Sequence, residues 1–367
     1  MRLAHLSADL AGETLARTVL GSDYQVLLVA GVRLTPRYIQ QLRARGVQTV
    51  YLVDDLSEAV VPEAAVQLET REHAAVLVRH ALARAEANDP QGLPLAELEA
   101  VLNEILEELW RNQGLAVDLG EIRRSSPYTF GHAVDCTVLA LVLGQARGLP
   151  AGHLRLLGTG VMLMDIGMAH YGHLVSRPGA LSPQEFAELQ AHTERGFQFL
   201  RKEAGLPLLA AHVAYQHHER QDGSGYPRGL YAEDIHLFGR MAAVTDVFDA
   251  LRSDRPFKLG MPAADAMGVL RALGENKLDG DLVRLLSQRV AVYATGTPVL
   301  LTSGELGVVL GQTAAGGAPL VRVVADPSLR VVTPFELDLG ADIEGRGVRT
   351  VLPDYPREVL QQLHYRG

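Results

Sequence analysis

The chain has 367 residues, 47% hydrophobic and 21% charged, which allows about two to three domains and excludes wholesale disorder. A formal charge of −9 argues against general binding to a nucleic-acid polymer, and a single cysteine, Cys136, excludes an internal disulfide framework or a cysteine-rich zinc module. The start Met1-Arg-Leu-Ala-His5 has no long apolar stretch and no run approaches ~18 apolar residues, so a cytoplasmic chain without a membrane span is expected.

Residues 1–62 read as a small α/β module. Gln25–Val29 and Thr49–Val53 are strand-like apolar runs. Between them, Thr35-Pro36 offers an N-cap with proline at the first helical position, and Gly46 offers a stop. Residues 63–118 read as connecting helices. Leu95, Leu98, Leu102, Ile105, Leu106 and Leu109 share one helical stripe, with the neighbouring glutamates mostly outside it. Asn88–Pro94 marks the turn before that helix, and a helix pair over 63–113 suits a homodimer contact.

Residues 119–290 are a run of helices with little strand signal. Thr137–Leu143 is apolar on nearly every face, as a central buried helix would be. Ser182-Pro183-Gln184-Glu185 combines an N-cap, proline at N1 and glutamate at N3, a capping box that Leu181 and Phe186 are placed to staple. Residues 291–367 switch to short β segments, Pro298–Thr302, Leu306–Leu310 and Pro319–Val324, with a hairpin corner at Ser303-Gly304 and a short helix near Glu358–Tyr365. The expected class is mainly α, with a small α/β module before the helices and a small β-rich module after them.

The chemistry concentrates in the helical stretch. Nine of the thirteen histidines lie between His132 and His236. Neutral imidazole is the commonest metal ligand, and carboxylates complete sites for hard or borderline cations. His132, Asp165, His192, the adjacent pair His217-His218 and Asp246 fall on separate predicted helices, which a bundle can bring to one point.

These residues belong to a longer ordered pattern. It runs Tyr128-Thr-Phe-Gly-His132, Met164-Asp165-Ile166-Gly167, Arg177–Glu185, His192 with Gly196, and His217-His-Glu-Arg-Gln-Asp-Gly-Ser-Gly-Tyr-Pro227. It closes with Arg240–Leu251 and Ser253–Lys258. The pattern resembles the HD-GYP family, cyclic di-GMP phosphodiesterases within the HD metal-phosphohydrolase superfamily, over roughly 120–290. The resemblance implies an HD-type helical bundle domain and in-line hydrolysis of a phosphodiester at paired metals, iron or manganese, with Asp165 as the catalytic bridging ligand. It implies His192, His217 and His218 on one metal, and His132 and Asp246 on the other. Gly225, Tyr226 and Pro227 match the segment that walls the site, while Arg255 and Lys258 match residues that contact substrate phosphates.

Two departures stand out. The family's His-Asp pair is Met164-Asp165 here, and its usual lysine three residues after the aspartate is Met168. A thioether replaces imidazole poorly for Fe(II) or Mn(II), so the second site is weakened and one or two ions are expected. His170 and His173 lie just downstream as substitute ligands. Tyr128 stands where three-metal members carry glutamate, so no third ion is expected. Three functions stay open: a bacterial second-messenger hydrolase cutting cyclic di-GMP to linear pGpG or GMP; a degenerate receptor for cyclic di-GMP or a signalling partner protein; and a hydrolase of another nucleotide phosphoester.

Overall fold

The computed structural model describes the chain apart from residues 22–25, 58–63, 113–116, 119–127, 176–178, 180, 254–259, 313–317 and 365–367. The N-terminal stretch contains β1 (Arg2–His5), β2 (Val19–Leu20), β3 (Val26–Leu28), α1 (Pro36–Ala44) and β4 (Thr49–Leu52). Thr35 caps α1 by accepting from the Tyr38 amide at 3.2 Å, and Pro36 opens it. Gly46, at φ +79°, takes the left-handed turn after its end. β1 pairs antiparallel with β4, and β2 with β3.

The helices begin with α2 (Leu68–Glu86) and α3 (Leu95–Arg111). α3 buries Leu98, Leu102, Ile105, Leu106 and Leu109 of the expected stripe together with Val101, each contributing about 1.5–3 kcal/mol over exposure, while Leu95 at its start is half-buried. After the two-residue strand β5 (Val117–Asp118) comes α4 (Tyr128–Ala146), buried at every position from 132 to 144. There follow α5 (Ala151–Met162), α6 (Gly172–Val175), α7 (Pro183–Gln190), α8 (His192–Gln198), α9 (Leu208–Gln216), α10 (Leu237–Arg252), α11 (Ala263–Leu273) and α12 (Gly280–Ser287). A 3-10 turn, Ile166–His170, follows α5 and a π turn, Phe199–Glu203, follows α8. α4 is central because α2, α5 and α10 all pack on it. Arg71 of α2 also reaches Asp135 of α4 at 2.7 Å in a buried, hydrogen-bonded ion pair. The capping box forms as expected: Ser182 N donates to Glu185 Oε2 at 2.7 Å, and the Glu185 amide donates to Ser182 Oγ at 3.3 Å. Residues 65–113 and 126–289 make up this helical unit, so α2 and α3 pack as part of it.

The C-terminal stretch comprises β6 (Val290–Ala291), β7 (Pro298–Leu301), β8 (Leu306–Gln312), β9 (Pro319–Ala325), β10 (Val331–Asp338), β11 (Val348–Val351) and α13 (Arg357–His364). β7 to β11 form one antiparallel sheet in the order β10-β9-β8-β7-β11, and β5 pairs parallel with β6. This sheet and the N-terminal strands belong to one compact unit, residues 1–64, 114–125 and 290–367. Arg2, 2% exposed, bonds Asp354 at 2.7 Å, and the Leu3 and His5 amides donate to Gly296 and Pro353. Among the described residues no helix is long and apolar enough to cross a membrane.

Candidate metal centre

Five helix-borne or helix-capping residues converge on Asp165, which sits where α5 gives way to the 3-10 turn. Its two oxygens face different partners. Oδ2 lies 3.9 Å from Nε2 of His132, in the second turn of α4, while Oδ1 lies 3.6 Å from His192 Nε2 and 3.5 Å from His217 Nε2. His192 opens α8 and His217 caps α9. Asp246 of α10 closes the ring, with Oδ1 3.1 Å from His132 Nε2 and Oδ2 3.7 Å from His218 Nδ1. All six residues singled out by the sequence pattern therefore meet.

The outward-facing ring nitrogens fix which way the donors point. His192 Nδ1 is 2.7 Å from the Leu189 carbonyl, and His217 Nδ1 is 3.1 Å from the carbonyls of Val213 and Ala214. A carbonyl only accepts, so each Nδ1 carries the proton and each Nε2 presents a lone pair inward. Those two lone pairs stand 3.5 Å apart beside a carboxylate, an arrangement that a cation satisfies. Donor atoms of Asp165, His192, His217 and His218 all lie within 4.8 Å of one another. This nitrogen and oxygen set fits a divalent cation of borderline hardness.

Electrostatics agree with that fit. Burial alone would raise the Asp165 and Asp246 carboxyls. The adjoining imidazoles, His217 foremost for Asp165 and His132 for Asp246, outweigh it and hold both well below the ordinary carboxylate range. Burial pushes the imidazoles of His192 and His218 down, against the pull of the two carboxylates. Both carboxylates are thus held anionic and the imidazoles of His192 and His218 are pushed toward the neutral form, the protonation states that bind metal.

Two contributors escaped the sequence reading. Asp249, wholly buried one turn after Asp246, accepts from His132 Nδ1 at 2.7 Å and so turns Nε2 toward Asp165 and Asp246. The spacing of the two aspartates, three residues on a helix, was the available signal. Glu219, 1% exposed, accepts from the Arg228 amide at 2.8 Å and the Leu230 amide at 2.9 Å, pinning the segment that follows the histidine pair. Within that segment Gly225 has no room for a side chain, since a Cβ would lie 2.3 Å from the Arg220 nitrogen and 2.5 Å from the His218 oxygen. Tyr226 is half-buried and lays its ring over His218, centroids 4.7 Å apart at 30°. Gly167 is constrained as tightly, because a Cβ there would meet the His192 carbonyl oxygen at 2.1 Å.

Other expected residues lie elsewhere. Met164 is fully buried beside Asp165. His173 is exposed and pairs with Glu188 at 3.4 Å, while His170 lines a cavity of about 410 Å³ with Asn88, Tyr171, Glu194 and Arg195. Neither joins the cluster of close donor atoms around Asp165 among the described residues. Arg255 and Lys258 lie outside the described residues.

Comparison with known proteins matches this region to a family. The HD domain family matches residues 120–282. A cyclic di-GMP phosphodiesterase of Pseudomonas aeruginosa is 33% identical over 332 residues, covering 82% of this chain and 80% of that protein. A cyclic di-GMP phosphodiesterase of Thermotoga maritima is 43% identical over 113 residues, 30% of this chain and 31% of that protein. A 3'3'-cGAMP-specific phosphodiesterase of Vibrio cholerae is 33% identical over 146 residues, 40% of this chain and 32% of that protein. Among solved structures, an HDG"Y"P protein from Bdellovibrio bacteriovorus aligns over 77% of this chain and 97% of that one, at 15% identity and a TM-score of 0.48. With one-third identity across four-fifths of a full-length relative and an HD match spanning the metal-ligand cluster, the chain belongs to the HD-GYP family of HD-domain proteins.

Proposed function

We propose that this chain is a metal-dependent phosphodiesterase that hydrolyses cyclic di-GMP to linear pGpG, GMP or both. The observation that carries the reading is the ring of ligand atoms around Asp165, whose two oxygens face separate imidazole groups. The relatives named as cyclic di-GMP phosphodiesterases, one of them matched along four-fifths of its length, support the substrate.

Divalent-metal binding follows from membership of the HD family. In this reading His192, His217, His218 and Asp165 hold one ion, iron or manganese. His132, Asp246 and Asp165 hold the other, short of the imidazole that Met164 replaces. Bound ions supply Lewis-acid neutralisation of charge on the phosphoryl oxygens. The protein's own residues keep the donors deprotonated and oriented, while Gly225 and Tyr226 wall the reacting phosphate. By the family resemblance, Arg255 and Lys258 contact the substrate phosphates.

The test is an anaerobic assay of purified protein with Fe(II) or Mn(II), resolving products by chromatography. Linear product that disappears in Asp165→Ala supports the reading. A folded, metal-loaded protein that releases no product favours a cyclic di-GMP receptor, a reading that fully buried Met164 and the outlying positions of His170 and His173 motivate.

A further inference from the structure

One large aromatic stands at the edge of the ligand cluster without a role in holding it. Phe186 is 47% exposed on the first turn of α7, and its ring meets Tyr226 edge-on, centroids 6.1 Å apart and planes at 82°. Tyr226 in turn covers His218 and approaches His192 at 6.4 Å. The two rings thus make a right-angled corner that begins on the metal-ligand imidazoles and opens to solvent.

Both walls are held rigidly. The Ser182–Glu185 capping box fixes the helix start that carries Phe186. Tyr226 is fixed by the hydrogen bond its backbone N–H donates to the His218 carbonyl at 3.2 Å and by the clamp of Glu219 on the residues that follow. The exposed ring offers a flat apolar face beside the polar site, on which a planar ligand can stack. A base lies one sugar away from its phosphate. A phosphate bound at the ligand cluster therefore carries its base outward past Tyr226, where a flat ring can stack on one wall and set its edge against the other.

We propose that Phe186 and Tyr226 form a corner that stacks one purine base of the substrate, and that Phe186 sets affinity through that base. The inference rests on the phosphodiesterase reading for where the phosphate sits. Base–aromatic stacking lost to alanine weakens binding by about tenfold.

The probes are GMP and inorganic phosphate, titrated calorimetrically into the metal-loaded full chain, with cyclic di-GMP hydrolysis followed separately. Wild type is expected to bind GMP about tenfold more tightly than phosphate. Phe186→Ala should erase that difference while leaving phosphate affinity and metal content unchanged, and Phe186→Trp should restore it. Exposure of Phe186 makes misfolding of these variants an easily excluded outcome, by circular dichroism. The corner is overturned if wild type binds GMP no better than phosphate, or if Phe186→Ala keeps the preference or weakens both ligands alike. The two readings fail separately. A GMP preference that depends on Phe186, without cyclic di-GMP cleavage, refutes the activity and leaves the corner standing; cleavage without a GMP preference does the reverse.

Discussion

Replacing Asp249 with alanine tests how His132 is held, and the size of the effect follows from the geometry. Oδ2 of Asp249 accepts from His132 Nδ1 at 2.7 Å, with the carboxylate wholly buried and His132 4% exposed. Without it, Nδ1–H loses its charged acceptor inside a buried pocket, where the Cys136 sulfur 3.6 Å away is a weak substitute. An unsatisfied buried donor costs about 1–3 kcal/mol, enough to favour the tautomer that protonates Nε2 and blocks the inward lone pair. Loss of such an outer partner typically weakens metal binding about 10–100-fold. The variant should therefore lose the ion on the His132 and Asp246 side by that factor and keep the ion held by His192, His217 and His218. Asp249→Asn retains an acceptor oxygen and should recover most of the affinity. Competition titration against a chromophoric chelator, counting ions per folded chain, reads both sites. Unchanged affinity in a folded Asp249→Ala chain, or equal loss from both sites, would falsify this account of the ring.

Other outcomes follow from the same ring. His217→Ala should strip the three-histidine side of metal, and wild-type metal content by elemental analysis would refute that assignment. Met164→His should raise both metal content and any hydrolysis rate; a folded variant with neither change would show that position 164 does not face the centre. Stability of the metal-free chain should fall as pH drops below about 6.5. The folded-state values of His192 and His218 lie below the ordinary 6.5, so the unfolded chain takes up protons that the folded one resists. The depressed carboxyls of Asp165 and Asp246 carry the same sign and add a further loss below about pH 3.8. Melting temperatures measured from pH 8 to 3 check this, and a rise between pH 7 and 5.5 contradicts it.

Local chemistry was legible in the sequence wherever one element carries its own reason to form. The Thr35 and Ser182 caps, the α3 stripe and the buried stretch of α4 each follow from neighbours within one or two turns. The six clustered residues were legible for a different reason, since their residue types and order match a family pattern. Pairings across the chain were not legible. β1 reads as a polar start because it carries Arg2 and His5, and its burial depends on Asp354, 352 residues away. Asp249 and Glu219 were hidden in the same way: each stands inside a motif that names its neighbour, and its role exists only once a second element brings it a donor, the His132 ring for one and the amides of Arg228 and Leu230 for the other.

The same distinction bears on Met164. A missing imidazole is visible in the sequence, but its consequence depends on what the fold puts around Asp165. On one side three imidazoles converge, and two of them, His192 and His217, have their protons directed outward to carbonyls, so that side is organised without residue 164. On the other side a single imidazole, His132, faces two carboxylates and is itself oriented by a third, Asp249. A carboxylate-rich pair of this kind attracts a hard cation more strongly by charge than a second neutral ring would, while giving less geometric selectivity. In the proposed two-ion reading the His132 side therefore offers a donor set rich in oxygen, the kind that suits oxygen-preferring ions, while the three-histidine side is richer in nitrogen.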